Sequence, residues 1–120
     1  MENTQNQIQA VFNAWKERQK RPSICRLTKE RKRLIKKALE DGYTEKDLVA
    51  LIKYAYESND AGPRFWRGQN QQKRIYLDLV NLLRINKIAG RVEDALNWEL
   101  DLNEAEEDNY GPFRLLRGGQ

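Results

Sequence analysis

The sequence predicts an all-α fold, a compact bundle of about five helices followed by a flexible acidic C-terminal tail. Three observations predict it. Apolar residues recur at the i, i+3, i+4, i+7 spacing of helices in successive stretches. Thr28 and Thr44 head two of those stretches as N-caps, while Gly42 and Ser58-Asn59-Asp60-Ala61-Gly62-Pro63 end two of them. No stretch alternates apolar and polar residues as a half-buried strand does. With 120 residues, 39% hydrophobic and 33% charged, the chain fits one small core, expected over residues 1–99 with the tail over 100–120.

The first helix is expected over residues 5–19, with Ile8, Val11, Phe12 and Trp15 as its buried stripe. Lys20-Arg21-Pro22-Ser23 interrupts it, because proline disfavours helix at the residue before it, and a basic loop follows to Leu27. Thr28 opens the second helix, whose apolar side carries Leu34, Ile35, Ala38 and Leu39. Arg31 falls within that apolar side, where pairing with Asp47 or Asp78 is expected to hold it. Thr44 and Asp47 form a capping box, flanked by Tyr43 and Leu48 at hydrophobic-staple positions. The third helix then buries Leu48, Leu51, Ile52 and Ala55, leaving Tyr54 and Tyr56 more exposed.

Residues 64–74 are polar and basic around Phe65-Trp66, with Gly68 against helix, and are expected to form an ordered loop. A fourth helix, expected to lie centrally, carries Ile75, Tyr76, Leu79, Val80, Leu82 and Leu83. A turn near Asn86 leads to a fifth with Ile85, Ile88, Ala89, Val92, Ala95 and Leu96. Trp98 falls off that stripe and is expected at a partial surface contact. Beyond Glu99 an acidic run precedes YGPFRLLRGGQ.

The net charge of +4 conceals a strong segregation. Residues 16–37 hold eleven Lys or Arg against Glu17 and Glu30, a balance of +9, and residues 64–91 hold a balance of +6. Residues 38–63 stand at −4 and residues 92–120 at −6. Two basic blocks beside an acidic end point to a polyanionic partner and a strongly dipolar molecule. On the second helix Lys29, Lys32, Arg33, Lys36 and Lys37 lie opposite the apolar stripe, where they can neutralise phosphates or simply face solvent.

Phe65-Trp66 between Arg64 and Arg67 combines stacking surfaces with cations, the pairing that holds single-stranded nucleic acid; Lys73 and Arg74 extend the basic set. The alternative places these rings in the core, an alternative stronger for Phe65 than for Trp66. Trp15 reads as core. Tyr110, Phe113, Leu115 and Leu116 behind the acidic spacer read either as a docking motif for a protein partner or as a back-folded end.

Catalysis is not expected. His is absent, which removes the usual general base near neutral pH and every His-containing zinc set. Cys25 is the only cysteine, so no internal disulfide or multi-thiolate metal site can form. No phosphate-binding Gly-rich loop ending in Gly-Lys-Ser/Thr occurs. No cofactor, metal or small-molecule substrate is expected. The start lacks a cationic lead before an apolar stretch, and no apolar run could span a bilayer, so a cytoplasmic protein without membrane contact is expected.

The order of these features resembles the helical domains of bacteriophage and prophage replication proteins of the replisome-organiser type. The resembling residues are Val11-Phe12-Asn13-Ala14-Trp15, the Leu27-Thr28 entry to an Arg-rich helix, Gly42-Tyr43-Thr44-Glu45-Lys46-Asp47-Leu48, Phe65-Trp66-Arg67-Gly68-Gln69-Asn70, and residues 76–84. Coverage is roughly residues 8–96. A more distant likeness is to DnaD-type helical domains, which Tyr76 and Val80 fit, although Arg84 stands where that family has tryptophan. Nothing ahead of residue 8 resembles a winged helix, so origin recognition does not carry over. The resemblance implies a replication-associated module in a bacterial host that binds single- or double-stranded DNA and bridges it to a replicative helicase or its loader. The alternative expectation is a phage-encoded adaptor or inhibitor that binds a host protein instead.

Overall fold

The computed structural model describes residues 4–108, with side chains to residue 105. The first apolar stripe produces α1 (Thr4–Lys16), and all four of its apolar residues are buried: Ile8, Val11, Phe12 and Trp15. Its expected end at residue 19 unwinds into tight turns, with the Arg18 and Gln19 N–H groups donating to the Trp15 and Lys16 carbonyls. A single 3-10 turn at Pro22–Ile24 then reverses the chain.

Helix α2 (Lys29–Glu40) starts where Thr28 Oγ1 accepts the Arg31 N–H at 3.2 Å. It ends at Gly42, whose φ of +107° only glycine adopts readily. There the Tyr43 N–H reaches back to the Ala38 carbonyl at 3.1 Å, closing the orphaned last turn. The Thr44–Asp47 capping box forms as expected, with both reciprocal bonds near 3 Å, and opens α3 (Glu45–Glu57).

Helix α3 is the centre of the molecule: α1, α4 (Ala61–Trp66), α5 (Leu79–Leu82) and α6 (Ile88–Asp108) all pack on it, while α2 packs on α1 and α5. That corrects two expectations. The central position belongs to α3, and Tyr54 is buried at 3% exposure because α4 and α6 close over the side of α3 that the stripe left open. The Tyr54 ring makes edge-to-face contacts with Trp66 and Trp98, and its hydroxyl donates to Asp60 Oδ2 at 2.9 Å. Burial, then the Asp60 carboxylate, pushes its pKa far above that of a free tyrosine. Tyr56 is half-buried and accepts from Gln19.

The expected loop after Ser58 begins with a short helix, α4 (Ala61–Trp66), which tolerates Pro63 because it lies in the first turn, where its missing N–H has no intrahelical role. The expected fourth helix shrinks to one turn, α5 (Leu79–Leu82). Asp78 causes this. Its carboxylate caps α5 by accepting the Val80 N–H at 2.9 Å and is gripped by Arg31 of α2 at 2.7 Å. The backbone ahead of it is claimed by tertiary bonds: the Tyr76 N–H donates to the Trp66 carbonyl (2.7 Å), and Trp15 Nε1 donates to the Leu77 carbonyl (2.8 Å).

The turn at residues 85–87 falls where Asn86 was expected to mark it. Helix α6 (Ile88–Asp108) then buries Ile88, Val92 and Ala95 against α3. It runs past the boundary expected after residue 99, and residues 100–105 are all exposed. Trp98 is half-buried, as its position off the stripe suggested. Among the described residues there is no strand, and no helix is long and apolar enough to cross a membrane.

The Arg31–Asp78 pair yields two predictions. Burial opposes the Asp78 carboxylate, but the Arg31 fork and the Val80 N–H outweigh it and hold its pKa below the usual carboxylate value. A depressed folded-state pKa means that this contribution is present above the unfolded value near 4 and is lost as pH falls below it. Asp78→Asn, which keeps a capping side chain, should therefore flatten the acid limb of stability measured by urea unfolding between about pH 5 and 2. Asp78→Ala, which removes cap and ion pair together, should cost about 2 kcal/mol at neutral pH by the same measurement.

Candidate nucleic-acid interface

The amphipathic character of α2 decides where its cations go. With Leu34, Ile35 and Ala38 buried against α1 and α5, the side chains of Lys29, Lys32, Arg33, Lys36 and Lys37 are all exposed on the outer face. Two of the five are engaged locally. Arg33 pairs with Glu30, whose carboxyl the hydrogen bond holds below its usual pKa, and Lys37 Nζ lies 3.1 Å from Asp41. Exposed pairs of this spacing are weak and screened by salt. Lys29, Lys32 and Lys36 have no ion pair among the described residues.

Arg31 does not belong to this face. Its guanidinium lies 4.5 Å from the Trp15 ring centroid, donates to the Arg26 carbonyl at 2.7 Å and forks onto Asp78. The expected pairing is thus realised with Asp78, which lies across α2 at the start of α5.

The second basic group divides into an outer and an inner set. Arg64, Lys73 and Arg74 are exposed, with no ion pair among the described residues. Arg67 turns inward: Nη1 and Nη2 donate to the Ala55 and Ser58 carbonyls at 3.0 and 2.6 Å, closing the C-terminal end of α3. Trp66 is half-buried, its ring edge against Tyr54 and the Arg91 guanidinium 4.8 Å from its centroid. Arg91 in turn donates to the Asn81 carbonyl at the end of α5; burial, then the nearby Arg84 charge, lowers its pKa. Trp66, for which core and stacking were both open, thus packs partly against α3 and keeps part of its surface exposed. Phe65, expected in the core, is 47% exposed, because the α4 turn that puts Trp66 against α3 turns its neighbour outward.

Phe65 stacks on Tyr76, with centroids 5.7 Å apart and planes 12° from parallel. Asn70 secures this arrangement: its side-chain amide donates to the Phe65 and Arg74 carbonyls at 2.8 and 2.6 Å and accepts the Arg74 N–H at 3.0 Å. The two cation groups sit on separately anchored elements: α2 packs on α1 and α5, whereas α4, which carries Arg64, packs on α3.

Two surface grooves escaped the sequence reading. One, of about 460 Å³, runs between α2 and α5 and includes Arg33, Leu34, Val80, Arg84 and Ile85. The other, of about 520 Å³, lies beside the basic loop and includes Arg21, Ile24, Cys25, Tyr56, Ile75 and Leu77, with Ile24 and Ile75 about two-thirds exposed. Isolated isoleucines inside basic loops were the available signal. Tyr110, Phe113, Leu115 and Leu116 lie outside the described residues.

The division of cations is testable by stability. Arg67→Ala should lower unfolding free energy by roughly 1–3 kcal/mol, since it leaves half-buried carbonyls without a charged donor, whereas Lys32→Ala should stay within about 0.5 kcal/mol of the unmodified chain in the same denaturation assay. No protein-family model, curated protein or solved structure matches this chain.

Proposed function

We propose that this chain is a non-enzymatic DNA-binding module of phage or prophage replication, one that bridges DNA to a replicative helicase or its loader. The observation that carries the DNA-binding part is the outer face of α2, where Lys29, Lys32 and Lys36 stand exposed without an acidic partner among the described residues and Arg33 and Lys37 hold only weak local ones. A row of such cations on a rigid helix favours phosphates: each contact releases condensed counterions, giving an affinity that falls steeply with salt. The absence of acids from residues 61–77 extends the favourable field to the second basic group. The replication context rests on the resemblance in residues 8–96.

A second reading is favoured by the groove beside Ile24 and Ile75, which presents apolar surface within a basic rim. In that reading the chain is an adaptor or inhibitor that grips a host protein through this groove and needs no DNA.

A salt series of binding to single- and double-stranded DNA separates the readings. The DNA-binding reading expects a steep log–log dependence, and Lys32→Glu, Arg33→Glu, Lys36→Glu together should abolish binding to both. Unchanged affinity in that variant would overturn it. Ile24→Gln with Ile75→Gln, which removes the apolar surface without adding charge beside Arg74, should leave DNA affinity intact and, in the adaptor reading alone, remove co-purification of a single host protein.

A further inference from the structure

We propose that Phe65 is a base-stacking platform that gives this module a site for single-stranded DNA, with Arg64, Lys73 and Arg74 as its phosphate contacts. This deepens the DNA-binding reading and rests on it. The exposed ring is the starting point. A phenylalanine 47% exposed contributes little to the core, yet Phe65 is held in one orientation by stacking on Tyr76. Tyr76 lies nearly parallel to the ring, at 12° with centroids 5.7 Å apart, an offset arrangement that a base laid on the exposed part of Phe65 would extend.

The surroundings are built to hold that ring still. Asn70 ties the Phe65 carbonyl to both backbone groups of Arg74, and the Tyr76 N–H is fastened to the Trp66 carbonyl. Gly68 and Lys73 both adopt left-handed backbone, at φ +106° and 56°, to close the loop between them. For lysine that conformation is uncommon, and it is kept here by the Asn70 bonds on either side. Arg64, next to Phe65 on α4, and Lys73 and Arg74 in the loop are exposed and have no ion pair among the described residues, and the sequence has no acid between residues 61 and 77.

Strand selectivity follows from the chemistry of stacking. In a duplex both faces of each base are covered by neighbours, so only an unstacked base can lie on Phe65. The outer face of α2, by contrast, offers cations and no exposed aromatic ring, and reads only phosphates. The two groups therefore differ in what they contribute: α2 supplies affinity for either form, and Phe65 adds preference for the single strand.

The test measures binding of a labelled oligothymidine and of a duplex of equal length by fluorescence anisotropy across a salt series, with the full chain. Phe65→Ala should weaken single-strand binding about tenfold or more while leaving duplex binding unchanged. Phe65→Leu should lose as much, since it keeps apolar volume without a π-face, and Phe65→Tyr should restore it. The slope of log affinity against log salt should be unchanged in these variants, but should fall by about 0.7 per cation for single strands when Arg64, Lys73 or Arg74 is replaced by Ala. Thermal unfolding should not shift for Phe65→Leu, which checks that the fold is intact. Full single-strand affinity in Phe65→Ala, or an equal loss on both DNAs, overturns the platform while leaving the α2 reading standing. Failure of the unmodified chain to bind either DNA overturns both.

Discussion

The grip of Arg31 on Asp78, laid against the Trp15 ring, is the interaction on which the rest of the arrangement depends. It joins three separate parts of the chain: α1 through Trp15, α2 through Arg31, and the start of α5 through Asp78. Trp15 adds its own bond to the Leu77 carbonyl, so the same node fixes the extended segment ahead of α5. A guanidinium can do this because its planar fork serves a carboxylate, a carbonyl and an aromatic face at once, which an ammonium cannot. With Arg31 inward, the remaining cations of α2 have only the outer face.

The same division runs through the whole set of basic residues. Arg31, Arg67 and Arg91 are half-buried and donate to main-chain carbonyls: Arg67 and Arg91 at the C-terminal ends of α3 and α5, and Arg31 to Arg26 in the loop ahead of α2. Short helices such as α4 and α5 have too few internal bonds to stand alone. Arginine donors substitute for the missing ones, and the positive charge suits the negative end of the helix dipole. Apart from half-buried Lys16, the lysines and the remaining arginines of the two basic blocks stay outside. A net charge of +4 thus understates the surface field, because structure and surface draw on different residues of one charge class.

Much of this was legible in advance where the signal is local. The stripes of α1, α2 and α3, the Thr28 and Thr44 caps and the Gly42 stop rest on contacts within a few residues, and each appears where expected. The outer face of α2 was readable for the same reason, since a helix's periodicity alone sorts its side chains into two sides. The fourth helix was not. Ile75, Tyr76, Leu79, Val80, Leu82 and Leu83 carry helical spacing, yet the backbone at Tyr76 and Leu77 makes its bonds to Trp66 and Trp15, distant partners that periodicity does not report. The outward turn of Phe65 was not legible for a related reason. Adjacent residues on a one-turn helix point to different sides, and which side meets α3 depends on how Pro63 and Arg67 seat that turn.

The sequence by itself determined the all-α class, the first three helices with their caps, the segregation of charge and the outward row of cations on α2, because all of these follow from short-range periodicity and hydrogen bonding. Tertiary structure alone decided that α3 lies at the centre, that Arg67 and Trp66 face inward, and that Phe65 stands out upon Tyr76. Those outcomes turn on which carbonyls and ring faces remain unsatisfied once helices meet. That competition involves residues far apart in the chain, and it is settled only when the elements pack.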